Sequence, residues 1–238
     1  DQSILNQFDT IQVTNIIEYD DYYWFGTEKG LFRYNGNDIE KILLKEGLNN
    51  ITVSGLATDN KNRLWIGSRR NGLIVMDGND IIAIDQNQGI KYNNILSLYA
   101  DNCNNIWVGT DGRGAFVFNG FDFIHYPFED ITPVNFITSI CKMNDRTMWF
   151  GTDGAGIIVK TGAEKQILDT NEGLSNNHIT DIKVSGDGLT WITTLDGINI
   201  YDGSSIREHQ LSDRLRTEIA MCVLPDNEGN VWIGTNGG

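Results

Sequence analysis

The stretch Trp107-Val108-Gly109-Thr110-Asp111-Gly112-Arg113-Gly114 decides the fold, because near-copies of it recur along the chain. They open at Trp24-Phe25-Gly26-Thr27, Trp65-Ile66-Gly67-Ser68, Trp149-Phe150-Gly151-Thr152, Trp191-Ile192-Thr193-Thr194 and Trp232-Ile233-Gly234-Thr235. All six tryptophans fall on this motif, at spacings of 41, 42, 42, 42 and 41 residues. A period near forty-two residues belongs to propellers or solenoids.

Outward from each tryptophan, the repeat reads as four short strands. The first is apolar: Val13-Thr14-Asn15-Ile16, Val53-Ser54-Gly55-Leu56, Ile95-Leu96-Ser97-Leu98, Ile137-Thr138-Ser139-Ile140, Ile179-Thr180-Asp181-Ile182 and, more divergent, Glu218-Ile219-Ala220-Met221. A polar turn such as Asp59-Asn60-Lys61-Asn62 leads to the tryptophan strand, and a glycine-ended turn leads to the third. Asn35-Gly36, Asp77-Gly78, Asn119-Gly120, Thr161-Gly162 and Asp202-Gly203 then predict tight hairpins of type I′ into fourth strands such as Ile39–Leu44, Ile81–Ile84 and Ile206–Leu211. No stretch carries sustained helical periodicity with caps, so the fold class is all-β.

Four antiparallel strands per repeat describe a propeller blade. The third position of the first strand is small or polar in every copy (Asn15, Gly55, Ser97, Ser139, Asp181, Ala220), as crowding about an axis demands. The tryptophan, one strand further out, has the area to fill the widening gap between blades. The glycine two residues later permits close approach by a neighbouring backbone or ring. Thr193 replaces it in blade five, which predicts a looser or re-registered contact there. The expected blades span 9–44, 45–86, 87–128, 129–169 and 170–211, with a partial sixth at 212–238. Residues 1–8 read as a preceding fourth strand. The expectation is about five and a half blades, either a six-bladed ring with a thin seam or, the favoured reading, a cut piece of a larger ring.

Composition narrows the function. A formal net charge of −14, from 18 basic and 32 acidic residues, repels phosphate backbones and argues against nucleic-acid binding. Gly 26 against Pro 3 suits tight turns rather than disordered linkers. Cys103, Cys141 and Cys222 are too scattered for a disulfide framework and read as buried or incidental thiols. No apolar run reaches the length of a membrane span.

The pattern Trp24-Phe25-Gly26-Thr27-Glu28-Lys29-Gly30-Leu31-Phe32-Arg33-Tyr34-Asn35-Gly36, with the linking piece Glu172-Gly173-Leu174-Ser175-Asn176-Asn177-His178-Ile179, resembles the two-component regulator propeller repeat. Weaker linking pieces stand at Glu46-Gly47-Leu48-Asn49-Asn50 and Gln88-Gly89-Ile90-Lys91-Tyr92-Asn93-Asn94. The resemblance implies a fragment of a seven-bladed propeller that serves as the extracytoplasmic, periplasmic sensor of a hybrid two-component histidine kinase in a Bacteroides-like bacterium. Such a sensor responds to oligosaccharide and controls genes of glycan use. It would be a homodimer in its parent protein and meet the membrane only through downstream parts. The alternatives are a free-standing scaffold for protein partners and a glycan hydrolase or lyase.

Catalytic chemistry is sparse. His125, His178 and His209 share no ligand spacing with each other or with the cysteines, so neither metal nor cofactor is expected. No nucleophile sits in a strand-turn-helix elbow. Ser185-Gly186-Asp187-Gly188-Leu189-Thr190-Trp191 resembles the Asp-box of sialidase propellers but is one residue short, and an aspartate-stabilised turn accounts for it. The axial column offers only Asp181 and Asn15 as ligands, a poor cage. The segment is expected to be non-catalytic.

Recognition is expected on the face shared by the second-to-third-strand loops and the blade-to-blade connections, whose residues vary most among copies. That face carries Lys29, Arg69, Arg70, Tyr92, Asp111, Arg113, Asp153, Asn176, Arg214 and Arg216. Tyr92 is suited to stack on a sugar ring, and Arg69, Arg70 and Arg113 to hold a carboxylate or sulfate.

Overall fold

The computed structural model describes residues 11–44, 48–84, 89–90, 92–132, 135–214 and 218–237. The chain divides into two compact units, Asp1–Tyr126 and Pro127–Gly238. The first holds three four-stranded antiparallel sheets: β1–β4 (Val13–Tyr19, Tyr22–Thr27, Gly30–Tyr34, Ile39–Ile42), β5–β8 (Thr52–Thr58, Leu64–Arg69, Gly72–Asp77, Asp80–Ile84) and β9–β12 (Ile95–Ala100, Ile106–Thr110, Ala115–Phe118, Phe123–Tyr126). The second holds β13–β16 (Ile137–Lys142, Thr147–Thr152, Ile157–Thr161, Glu164–Leu168) and β17–β20 (Ile179–Val184, Thr190–Thr194, Gly197–Tyr201, Ile206–Glu208), then a two-stranded sheet of β21 (Ala220–Pro225) and β22 (Val231–Thr235). The protein is all-β: five four-stranded blades in propeller arrangement and a partial sixth sheet. Residues 1–8, read as a fourth strand, lie outside the described residues.

Blades meet through their first two strands. Within each unit, a tryptophan that is followed by a further sheet packs on residues flanking its own counterpart there. Trp24 clusters with Leu64 and Ile66, Trp65 with Ile106 and Val108, Trp149 with Ile192, and Trp191 with Val231 and Ile233. Five indoles are buried as expected; Trp232 is 64% exposed, because no described residue covers its face of the two-stranded sheet.

The glycine after tryptophan admits a side chain from the next blade, rather than a backbone or a ring. A Cβ added at Gly26, Gly67 or Gly151 would stand 2.5–2.7 Å from a methyl of Val53, Ile95 or Ile179. At Thr193 the register inside the sheet is kept, Asp181 lying opposite Thr193 as Ser139 lies opposite Gly151, and Thr180 Oγ1 still donates to Ala220 O of the next sheet (2.7 Å). The compensation comes from the next sheet, where the residue in register with Val53, Ile95 and Ile179 is Ala220. A larger side chain on one side is matched by a smaller one on the other.

That register corrects the sequence alignment of the last copy. Cys222 pairs with Gly234 as Ser139 pairs with Gly151, so Cys222 and not Ala220 belongs to the axial column. Cys222 is exposed, as is Cys103. Cys141 is buried, and burial pushes its thiol up to about 11, which leaves it unreactive.

Register shifts in the first two strands of each blade, between Val13 and Asn15, Val53 and Gly55, Ile137 and Ser139, Ile179 and Asp181, and Ala220 and Cys222, mark a β-bulge. Sequence gave no hint of it. At four junctions the bulged hydroxyl reaches across to the next blade: Thr14 Oγ1 donates to Val53 O (2.7 Å), Ser54 Oγ to Ile95 O (2.5 Å), Thr138 Oγ1 to Ile179 O (2.6 Å) and Thr180 Oγ1 to Ala220 O (2.7 Å). The sheets are thus stitched edge to edge without a shared ladder.

The hairpins between third and fourth strands also differ from expectation. Thr161 pairs with Glu164 and Asp77 with Asp80, so the central residues are Gly162-Ala163 and Gly78-Asn79. Only the glycine of each pair has positive φ, 60° and 57°. That is the type II′ requirement, glycine at the first central position, rather than type I′. The Asn or Asp before the glycine instead caps the loop, as where Asn119 Oδ1 accepts from Phe121 N and Asp122 N. The last fourth strand stops at Glu208 and gives way to a 3-10 turn, Gln210–Arg214, beside a second such turn at Thr170–Glu172.

Candidate ligand-binding face

Each second-to-third-strand loop is held to a blade connection by backbone hydrogen bonds. Gly72 N donates to Asn93 O (2.8 Å), Asp111 N to Asn94 O (3.1 Å), Asp153 N to Phe136 O (3.1 Å), and Gly154 N and Gly156 N to Asn177 O (3.1 and 2.8 Å). The two kinds of loop therefore share one face in each unit, and a rigid scaffold presents variable side chains there.

In the first unit, this brings Arg69, Arg70, Tyr92, Asp111 and Arg113 around the connection between the second and third blades. Asn94 Nδ2 donates to the Asp111 carboxylate. The Arg113 guanidinium lies 5.0 Å from the Tyr92 ring centre, and Tyr92 packs 5.9 Å from Phe116. Phe116 in turn stacks on His125, centroids 4.3 Å apart and planes at 13°. His125 Nε2 donates to Arg113 O (2.8 Å), which places its proton on that nitrogen. Tyr92 is half-buried, and its ring and the Arg113 guanidinium form a cation–π pair.

Arg69 and Arg70 are exposed, and Arg70 holds φ at 84°, a left-handed backbone uncommon for a long side chain. Among the described residues, Arg69, Arg70 and Arg113 make no ion pair, whereas Arg33 pairs with Glu40 (2.7 Å) and Arg63 with Asp59 (2.6 Å). Lys29 lies one blade earlier, 3.8 Å from Glu28. Its loop adjoins the arginines through Thr52, which donates to Glu28 O (3.3 Å) and sits opposite Arg69 in the ladder.

In the second unit, Asp153 and Asn176 converge on His178, which the sequence reading placed in a linking piece and set aside as a metal ligand. Its Nδ1 lies 2.5 Å from Asp153 Oδ1, its backbone N donates to Asn176 Oδ1 (2.8 Å), and its carbonyl accepts from Leu195 N (3.1 Å). Adjacency to Asn176 in the linking piece was the available signal. Arg214 ends the Gln210–Arg214 turn, and Arg216 lies outside the described residues. Arg69, Arg70, Tyr92, Asp111 and Arg113 thus lie in the first unit, and Asp153 and Asn176 in the second.

The axial column shows no catalytic cage. Asp181 is engaged by Ser139 Oγ (3.0 Å), Lys183 Nζ (2.6 Å) and Val223 N (3.2 Å), tying three sheets together. Among the described residues, no group of three or more His, Cys, Asp or Glu is placed to hold a metal ion. In the Asp-box-like turn, Ser185 Oγ and Leu189 N both donate to Asp187 Oδ1 (2.5 and 3.2 Å), and these bonds hold its carboxyl below the usual range. No helix among the described residues is long and apolar enough to cross a membrane.

A family model described as "Two component regulator propeller" matches residues 47–70, 89–112 and 215–237. No curated protein sequence matches the chain. Among solved structures, it is similar to an extracellular domain assigned to a hybrid two component system of B. thetaiotaomicron, at 24% identity and a TM-score of 0.78, covering 93% of this chain and 32% of that one. It is also similar to PorZ, a surface component of the type-IX secretion system of Porphyromonas gingivalis (16% identity, TM-score 0.69, covering 95% of this chain and 38% of that one). Virginiamycin B lyase from Staphylococcus aureus is a third such structure (14% identity, TM-score 0.76, covering 94% of this chain and 77% of that one). At these identities the likeness is one of fold. The chain spans about a third of the length of the first two.

Proposed function

We propose, on the premise that this chain carries repeats of the two-component regulator propeller family, that it is a non-catalytic ligand-sensing segment of an extracytoplasmic receptor, with an anionic oligosaccharide as ligand. The parent would be a hybrid sensor histidine kinase with its propeller in the periplasm, controlling genes of glycan use. The likeness to an extracellular domain assigned to a hybrid two component system supports this setting. The lyase relative has the same fold, but here the axial aspartate is committed to neighbouring sheets, which favours binding over turnover.

One observation carries the ligand class: three arginines that make no ion pair among the described residues, gathered on adjacent blades of a protein whose net charge is −14. An acidic surface repels anions everywhere except at such a cluster. A carboxylate or sulfate meeting a guanidinium there forms charge-assisted hydrogen bonds, each contributing about 1.5–3 kcal/mol. Signalling requires that the bound ligand favour one of two receptor states, so affinity must differ between them.

Calorimetry with oligogalacturonides and chondroitin sulfate tetrasaccharides is the test. Arg69→Ala combined with Arg113→Ala is expected to weaken binding by about tenfold or more. Equal affinity in wild type and double variant would remove the arginines from the site.

A further inference from the structure

Inside the first unit, the seam between the first two blades is built differently in its outer half. Across β2, β3 and β4, Trp24 lies beside Arg33 and Arg33 beside Glu40. The residues that take the place of Arg33 in the next four blades are Val75, Val117, Val159 and Ile200, all buried. The facing wall differs as well. Phe118 closes over Trp65, ring centres 5.1 Å apart, and Tyr201 over Trp149, 5.0 Å apart. The residue in the same register facing Trp24 is Met76, which has no ring to close with.

These two exchanges leave a cleft of about 500 Å³ along the seam, within the range of small-ligand sites. Arg33, Glu40 and Ile42 line one side, Met76 and Ile81 the other, and every lining residue is among those described. The cleft opens beside Asp20 and Gly78-Asn79. Those are turns at the opposite end of the strands from the candidate ligand-binding face. Arg33 is fixed in place: its guanidinium carbon stands 4.5 Å from the Tyr22 ring centre, and its Nη2 lies 2.7 Å from Glu40 Oε1. Its buried Nε has no hydrogen-bond partner among the described residues, a cost that an incoming acceptor would relieve.

A guanidinium and a carboxylate side by side give the cleft a positive and a negative end. Its lining carries Arg33 and Lys41 against Asp20 and Glu40, so a singly charged ligand meets repulsion as well as attraction. A zwitterion meets opposite charge at both ends. Because Arg33 and Glu40 touch each other, the matching charges must also be close together, as the ammonium and carboxylate on one α-carbon are and the two ends of a peptide are not. We propose that this cleft binds a free α-amino acid with an apolar side chain. Its carboxylate accepts from Arg33, its ammonium donates to Glu40, and its side chain lies against Ile42, Met76 and Ile81. The inference goes beyond the sensing reading and uses none of the same residues.

Calorimetry of the 238-residue chain with L-phenylalanine, phenethylamine and 3-phenylpropionate tests it. Phenylalanine is expected to bind with a Kd of about 1 mM or tighter, given its size. Phenethylamine lacks the carboxylate and 3-phenylpropionate the ammonium, so each is expected to bind at least about tenfold more weakly. Arg33→Val installs the residue that other blades carry at this position, and Glu40→Gln keeps the size of the side chain without its charge. Both are expected to weaken phenylalanine binding about tenfold, with folding checked by near-ultraviolet circular dichroism. Arg33→Val is expected to leave the affinity for anionic tetrasaccharides unchanged, which separates this cleft from the arginine face. No heat with phenylalanine at about 10 mM, either analogue matching it, or undiminished binding in a folded variant would each overturn the proposal.

Discussion

Asp101 shows what a turn carboxylate does for an indole. Its Oδ1 accepts from Cys103 N and Asn105 N (both 2.9 Å), and its Oδ2 from Asn105 Nδ2 (2.8 Å) and Trp107 Nε1 (3.1 Å). Asp59 does the same for Trp65 (2.8 Å) and Asp226 for Trp232 (3.0 Å), each six residues ahead of its tryptophan. The indole can then bury its ring with no donor unpaired. Asp101→Ala strips four donors of their acceptor and is expected to destabilise by about 1–3 kcal/mol in urea unfolding. The same carboxylates set an acid limit. Burial raises the Asp59 and Asp101 carboxyls, but hydrogen bonds from Arg63 and Trp65, and from Asn105 and Trp107, outweigh it and lower both; Asp226 is drawn down to about 2. A folded-state value below the unfolded one adds stability that is complete above the unfolded value, about 3.9, and lost as pH falls through the folded value. Stability is therefore expected to fall from about pH 4 towards pH 2, and Asp101→Asn to flatten that slope in a melting-temperature series. A flat wild-type profile would contradict this account.

Whole strands tell a different story about how much was legible. The period and the tryptophan column were enough to identify the fold class, because a core position repeats whenever its packing partner repeats. The turn type was missed because Asn-Gly signals a tight hairpin without fixing which residues are central. The bulge was missed for a more basic reason. Thr14, Ser54, Thr138 and Thr180 are exchanged for Leu96 and Met221 in the other copies, so no column announced them. At the face, variation among the repeats singled out Arg69, Arg70 and Arg113, but the Asp153–His178 pair needed coordinates, being 25 residues apart in sequence. The Thr193–Ala220 match gives the prediction for this scale. Ala220→Ile alone overpacks against Thr193 and is expected to cost about 1–3 kcal/mol. Thr193→Gly in the same chain restores the pairing used at Gly151 and Ile179, so a double-mutant cycle in urea is expected to show a coupling of about 1 kcal/mol or more. Additive effects would mean the two residues do not meet across the junction.

For the entire chain, net charge sets the background against which a ligand is met. Anion capture at the arginines is attraction against an acidic background, so its affinity is expected to fall as salt rises. Calorimetry at 0.05 and 0.5 M NaCl reads that slope, and an affinity that rises with salt would exclude the arginines from the site.

The matched pair at the last junction bears on how such a chain can change length. At the junctions that set glycine against valine or isoleucine, recombination can splice out or double a whole repeat, and the new neighbours fit on arrival. At the fifth sheet they do not, because Thr193 tolerates only a follower that has given up its branched residue, as Ala220 has. The heritable module there is the seam, not the blade: whatever moves the fifth repeat to a new address must carry the sixth along with it.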